Sequence, residues 1–433
     1  MTTRIGRALL AGCCLSALSL APGCSPAADS LGITPAGAGG GGAAGSAGTA
    51  TTAGQGGATA GTANTAGGAG TGPLPSDCVP SAPMTLFCDP LQPMPKTLAP
   101  TGLFPAAPDL AKHSANLRAF TPFPALWSDG MDKERFILLP AGKQIDNTNP
   151  KAWVFPVGTL LIKTFFDDSG PGAARRAIET RIIRRVGTET DFTEYDYYLY
   201  QWNPTGTDAE LVLDDRNGDS QASPQVLVTI NHVVDGQPFM VNGGQAFEHA
   251  LPSRDNCGDC HHENGNTYQT FIGFDEIRLN HKRTPSSAKT ELEEFQDAGI
   301  FTKPPAAGDP PPRSIVESEP GLLKVKEFVL GNCVHCHNEH GKVFDMAPEV
   351  FVANTVGQMT NAQSVQPPTG WLRVKPGQPE MSVLFVQARR TPLPMPTTNG
   401  GNRLRPMPPI GVNDLAADQT GLAALQAWIT GLK

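Results

Sequence analysis

Cys333-Val334-His335-Cys336-His337 has the form C-x-x-C-H, the sequence to which c-type haem is attached. Residues three and four apart on a helix share a face. Cys333 and Cys336 can therefore form thioethers with the vinyl groups of one flat porphyrin while His337 binds its iron. Cys257-Gly258-Asp259-Cys260-His261 repeats the pattern upstream, with His261 as the second proximal ligand. Cys and His each supply 9 of 433 residues, so two chance copies are very improbable. The pair implies two covalently attached haem c groups.

Working outward from the second copy, residues 315–433 have the size of a small cytochrome. Leu322, Val325, Phe328 and Val329 recur at helical spacing before Cys333, and Leu422, Leu425, Trp428, Ile429 and Leu432 recur near the end. Two such helices crossing would brace one haem, and the expectation is an all-α class I cytochrome c domain. Between them, Arg403-Leu404-Arg405-Pro406-Met407-Pro408-Pro409 offers the thioether of Met407 as distal ligand, with Met395 as the next choice. His/Met ligation raises the potential, as suits electron transfer. His335 and His340 lie too near the proximal helix and read as bystanders.

The first copy belongs to a segment spanning 251–314. No Met occurs between His261 and Met346, so a nearby His/Met pair is ruled out. His281 is the chosen distal candidate, with His249, a distant Met or an open site as alternatives. Zinc also binds paired C-x-x-C units, but the His after each pair and the export signal favour haem. Thr290 and Glu293 form a capping box for a short helix that Gly299 stops, and Pro304 to Pro312 reads as a linker.

Residues 78–250 carry strand signals at 135–139, 158–165, 179–184, 197–202, 210–213 and 225–230, with no helix-length run between them. Short strands at this spacing predict an antiparallel β-sandwich or barrel-like domain ahead of the helical one. Asp215-Arg216-Asn217-Gly218-Asp219 alternates oxygen side chains as calcium loops do, but it lacks the sixth-position Gly and the late Glu, so it reads as a hairpin turn. No nucleophile elbow, H-E-x-x-H or Walker loop is present. His113 and His232 read as ordinary surface or packed residues.

Residues 1–24 read as an export signal, with Arg4 and Arg7 before the apolar run Ala8 to Ala21. Ala21-Pro22-Gly23-Cys24 resembles a lipoprotein cleavage box and makes Cys24 the lipid anchor to a membrane, the alternative being ordinary cleavage to a soluble periplasmic protein. Residues 25–77, nearly all Gly, Ala, Thr, Ser and Pro, form a tether that spans roughly 40 Å as a flexible coil. Cys78 and Cys88 remain as a disulfide for an oxidising compartment. The formal net charge of -8 argues against nucleic-acid partners. A periplasmic, outer-membrane or cell-surface lipoprotein is expected.

The chain is similar to a family of exported bacterial diheme c-type cytochromes over roughly Pro122 to Lys433. The likeness rests on Phe123-Pro124-Ala125-Leu126-Trp127-Ser128-Asp129-Gly130 with Lys133, on Phe155-Pro156-Val157-Gly158-Thr159 with Lys163-Thr164-Phe165, and on Glu179-Thr180-Arg181. Asn332 to Asn338 and Arg405-Pro406-Met407-Pro408-Pro409 complete it. The resemblance implies a β-rich front and a cytochrome back, and it brings no assigned reaction. The expected activity is electron transfer between extracytoplasmic partners, either redox proteins or small-molecule donors and acceptors. The alternatives are a catalytic diheme oxidoreductase, peroxidase- or oxidase-like, with an open first haem, or a β-domain binding module with a redox relay.

Overall fold

The alternating apolar runs of the front half become β1 (Arg118–Ala119), β2 (Asp132–Leu138), β3 (Leu160–Asp167), β4 (Arg176–Arg185), β5 (Tyr195–Trp202) and β6 (Ala209–Asp214). They lie side by side in chain order as one antiparallel six-stranded sheet. The structure, a computed structural model, describes residues 86–433 except 129–130, 168–174, 189–193, 218–226, 231–232, 235–236, 239, 242–244, 262–270, 341–343, 361–366, 390–403, 405 and 409–418. The leader, the Cys24 box, the 25–77 tether, Cys78, His232 and Met395 lie outside the described residues. Thr65–Lys433 cohere as one unit.

Side chains alternate across a strand, and here both faces are covered. Phe136, Leu138, Leu160, Ile162, Ile182, Tyr198 and Tyr200 face one core, completed by Leu86, Leu98, Leu103, Phe104 and Leu117 from irregular chain ahead of the sheet. Ile137, Leu161, Ile183, Tyr197 and Leu199 face another, closed by Phe271, Phe274, Leu292, Phe295 and Ile300 from chain that follows it. Burying each such side chain contributes about 1.5–3 kcal/mol.

β7 (Leu227–Ile230), β10 (Met240–Val241) and β11 (Gln245–Ala250) make a three-stranded sheet, and β8 (Val233–Val234) pairs with β9 (Gln237–Pro238). The helices are α1 (Arg254–His261), α2 (Glu276–Leu279), α3 (Glu291–Asp297), α4 (Pro320–Asn332), α5 (Phe351–Thr355), α6 (Val383–Arg389) and α7 (Gln419–Gly431). The expected capping box holds α3: Thr290 accepts from the Glu293 amide and Glu293 accepts from the Thr290 amide. Gly299 follows in the left-handed region, at φ 66°, which Gly adopts at least cost.

The expected fold class is corrected at both ends. The front is neither sandwich nor barrel among the described residues. Its open sheet is flanked by loops and short helices because large apolar side chains occupy both faces. The back does not form an all-α class I cytochrome c domain. Between α4 and α7, whose apolar stripes pack together, the described elements are five- and seven-residue helices, a 3-10 turn and the parallel bridges Val356↔Val374 and Leu372↔Ser382. Pro and Gly are frequent in this stretch and interrupt helices. Asp215-Arg216-Asn217 is likewise a 3-10 turn and not a hairpin, since β6 pairs with β5 whereas β7 pairs with β11.

Candidate functional site

α1 carries the first C-x-x-C-H. The Ser253 amide donates to the Asn256 side chain (3.1 Å) and the Asn256 amide to the Ser253 hydroxyl (3.3 Å), a reciprocal lock on its first turn. Arg254 pairs with Asp215 at 3.3 Å, pinning the helix to the end of β6. Cys257, Cys260 and His261 all fall inside the helix, at the spacing that puts them on one face. The His261 ring lies 6.3 Å from Tyr197. The Tyr197 hydroxyl is buried with no hydrogen-bond partner among the described residues.

The second motif leaves the end of α4 as one further turn, with the Cys336 and His337 amides donating to the Cys333 carbonyl at 3.1 and 2.9 Å. His337 Nδ1 lies 3.3 Å from the Phe344 carbonyl. A proton there is donated to that carbonyl and leaves Nε2 with its lone pair, the tautomer a metal-binding imidazole uses. Burial pushes His337 down to about 4, so it is neutral at ordinary pH. Arg373 stacks over the Phe344 ring at 3.9 Å, and its buried Nε has no partner.

The two motifs meet. The Cys260 thiol hydrogen-bonds with Cys336 and with His335. His335 is buried, so the residue expected to be a bystander sits at the junction. Only its place inside the second C-x-x-C-H could have signalled this. His340 is paired with Glu339 at 3.4 Å instead. Contact with Cys336 and burial raise the Cys260 thiol, while burial pushes Cys257 up to about 11 and Cys333 up to about 12. These are protonated thiols, unlike the electropositive, low-pKa setting of a catalytic cysteine.

The sheet carries cations across the middle of its strands. Register places Arg135 opposite Lys163 and Lys163 opposite Arg181, a row of three positive side chains across β2, β3 and β4. One step along, Lys133, Phe165 and Glu179 stand abreast. Glu179 is buried and accepts from Arg181 Nε (2.9 Å) and lies 2.9 Å from His249 Nε2. Burial would raise its carboxyl, but Arg181 and the bond with His249 hold it at about 2. Burial, then Arg181 and Arg135, push Lys163 down to about 7. Cys257 packs against the apolar cluster on this same face of the sheet.

Pro124-Ala125-Leu126-Trp127-Ser128 straps the sheet to the second motif. Lys133 Nζ donates to the Leu126 carbonyl and to Ser128 Oγ. The Trp127 amide donates to Asn332 Oδ1 at 3.0 Å. A Cβ on Gly331 would lie 3.0 Å from the Ala125 carbonyl oxygen, so this close approach needs glycine. Arg278 bonds Asp275 (2.7 Å) and the Leu330 carbonyl (2.8 Å) from the other side.

The distal candidates are dispersed. His281 packs on Phe123 at 5.5 Å and bonds the Arg278 carbonyl at 3.0 Å; neither contact is with α1. His249, the alternative, is joined to Glu179 beside the cationic row. Met407 is half-buried beside α6, its amide bonded to the Gln387 carbonyl at 3.0 Å. Cys88 is disulfide-bonded. His113 is bound to the Ser114 carbonyl and packed on Phe136. Among the described residues no group of three His, Cys, Asp or Glu side chains, the Cys260–Cys336–His335 contact included, has the placement to hold a metal ion, and no helix is long and apolar enough to cross a membrane.

No family model matches the chain. No curated protein matches it, and neither does any solved structure.

Proposed function

We propose that this chain is an exported diheme c-type electron carrier. Two haem groups would be bound through Cys257, Cys260 and His261 and through Cys333, Cys336 and His337. The observation that carries the reading is the contact of Cys260 with Cys336 and His335, which makes neighbours of two pentapeptides that each serve for haem attachment.

The residues present fit that group. Each motif has its two thiols and imidazole on one helical turn. Beside each there is a buried donor without a partner, the Tyr197 hydroxyl or Arg373 Nε. Haem supplies reversible one-electron chemistry at its iron. The protein's part is to set potential and access. His337 is held neutral with Nε2 free, apolar clusters exclude water, and buried charges on the sheet tune the first site. Met407 is the distal ligand proposed for the second. Attachment through the leader and Cys24 places the carrier at a membrane surface, where redox proteins or small molecules exchange electrons with it.

Protein made with cytochrome c maturation should show two covalent haems per chain in a pyridine haemochrome assay, and C257A/C260A should show one. An unchanged count would overturn the assignment of the first motif. The reduced protein should not bind carbon monoxide; binding at one haem would replace the carrier with a catalytic oxidoreductase. Met407→Ala should abolish the His/Met charge-transfer band of the ferric protein, and persistence of that band would assign the ligand elsewhere.

A further inference from the structure

We propose that Arg135, Lys163 and Arg181 form a receptor for paired carboxylates, and that it holds the two propionates of the haem carried by Cys257 and Cys260. This rests on the haem reading above.

The row is unfavourable as it stands. Like charges directly opposite across strands repel, and here the repulsion occurs twice in succession, Arg135 to Lys163 and Lys163 to Arg181. All three side chains are half-buried, where water screens them less than at a surface. The carboxylate beside them, Glu179, is already engaged by Arg181 and His249. The Lys163 ammonium and Arg181 guanidinium lie 5.1 and 4.3 Å from the centre of the Phe165 ring. A ring face offsets only part of such a charge. Neither Arg135 nor Lys163 has a hydrogen-bond or ion-pair partner among the described residues. Lys133, by contrast, is taken up by the strap.

With Glu179 taken up by Arg181 and His249, Arg135 and Lys163 are the two members of the row left without an acceptor among the described residues, and two propionates supply two. Cys257 packs against the cluster of Ile137, Leu161 and Ile183, on the sheet face that by register also carries the row, so the row lies on the side of the motif that would hold the haem. Guanidinium groups match carboxylates with two parallel hydrogen bonds, and an Arg at each end of the row suits a ligand with two such groups.

Spectropotentiometric titration of the matured full chain tests this, with the first haem identified as the wave lost in C257A/C260A. Removing a cation beside the haem favours its ferric form. R135Q and K163M should each keep two haems per chain and shift the first haem's reduction equilibrium about tenfold towards ferric, about 59 mV lower for one electron. The double variant should shift further. K163R and the second haem should stay at wild-type values. Unchanged potentials in both single variants, with two haems present, would overturn the proposal. Absence of covalent haem from the wild type would instead overturn the haem reading itself. Malonate titrated calorimetrically into the wild type should give no binding; binding lost in R135Q or K163M would assign the row to a soluble dicarboxylate and overturn the propionate assignment.

Discussion

The two C-x-x-C-H sequences have the same spacing and are housed differently. The first lies on a helix over a sheet, facing Arg135, Lys163, Arg181 and the buried Glu179–His249 pair. The second ends a helix whose surroundings are apolar, with Val325, Phe328, Val329, Met346, Phe351 and Leu425 among its cluster, and has Arg373 as the cation that acts on its His337. One pentapeptide can thus serve two electrostatic environments, because the pentapeptide fixes attachment and the surroundings fix potential. On the proposed reading, two unlike haem sites would give electron flow a direction.

The largest blow to this contrast should come from Glu179→Gln, which leaves Arg181 buried without its charge partner. A loss of about 3–5 kcal/mol in denaturant unfolding is expected, with the first haem's potential moved and the second's unchanged. The sign with pH follows from the carboxyl held at about 2. Its contribution is full above the unfolded value of about 4.3 and is lost as pH falls through 2. The variant should lack that acid step. Equal displacement of both potentials would erase the contrast.

Asn332→Ala tests the other side. It removes the acceptor for the Trp127 amide and the donor to the Phe328 carbonyl, at about 2 kcal/mol. Denaturant unfolding reads the loss, and the second haem's potential should move while the first's does not.

Lys163 gives a smaller effect that depends on pH. Its folded value near 7 lies below the unfolded value of about 10.4, so the unfolded chain binds more protons between them. These values correspond to about 3.5 kcal/mol between pH 7 and 10, which solvent screening of a half-buried ammonium reduces to a rise on the order of 1–2 kcal/mol in the haem-free chain. K163M should flatten the rise. Arg254→Ala, which frees α1 from Asp215, should cost about 1 kcal/mol; a larger loss by thermal unfolding would mean that α1 depends on this pair alone.

Much of the local structure was legible because it is set by neighbours in sequence. The strand runs, the Thr290–Glu293 box and the stripes before Cys333 and at Leu422 to Leu432 all appear where periodicity and capping place them. The sandwich failed because alternation was read as one buried face, whereas β3 is buried on both sides except at Lys163. The all-α back failed because two good helices were allowed to speak for the Pro-rich chain between them. The site itself depends on register. Arg135, Lys163 and Arg181 are 28 and 18 residues apart, and only strand pairing puts them in a row. The available signal was a charged residue repeatedly interrupting otherwise apolar strands. His335 could not be placed, since its neighbour Cys260 comes from another element.

The strap from Pro124 to Ser128 also orders events in time. Trp127 and Asn332 are 205 residues apart, and contacts across such a separation close late because a long loop must first be drawn together. While β1 to β6 assemble from local hairpin pairings, the turn bearing Cys333 and Cys336 is still open to the surroundings. Once the strap closes, Gly331 is pressed against Ala125 and the Cys260 thiol is shut in with Cys336. Covalent chemistry at the Cys260 thiol, the buried one of the four, would therefore come before the strap closes.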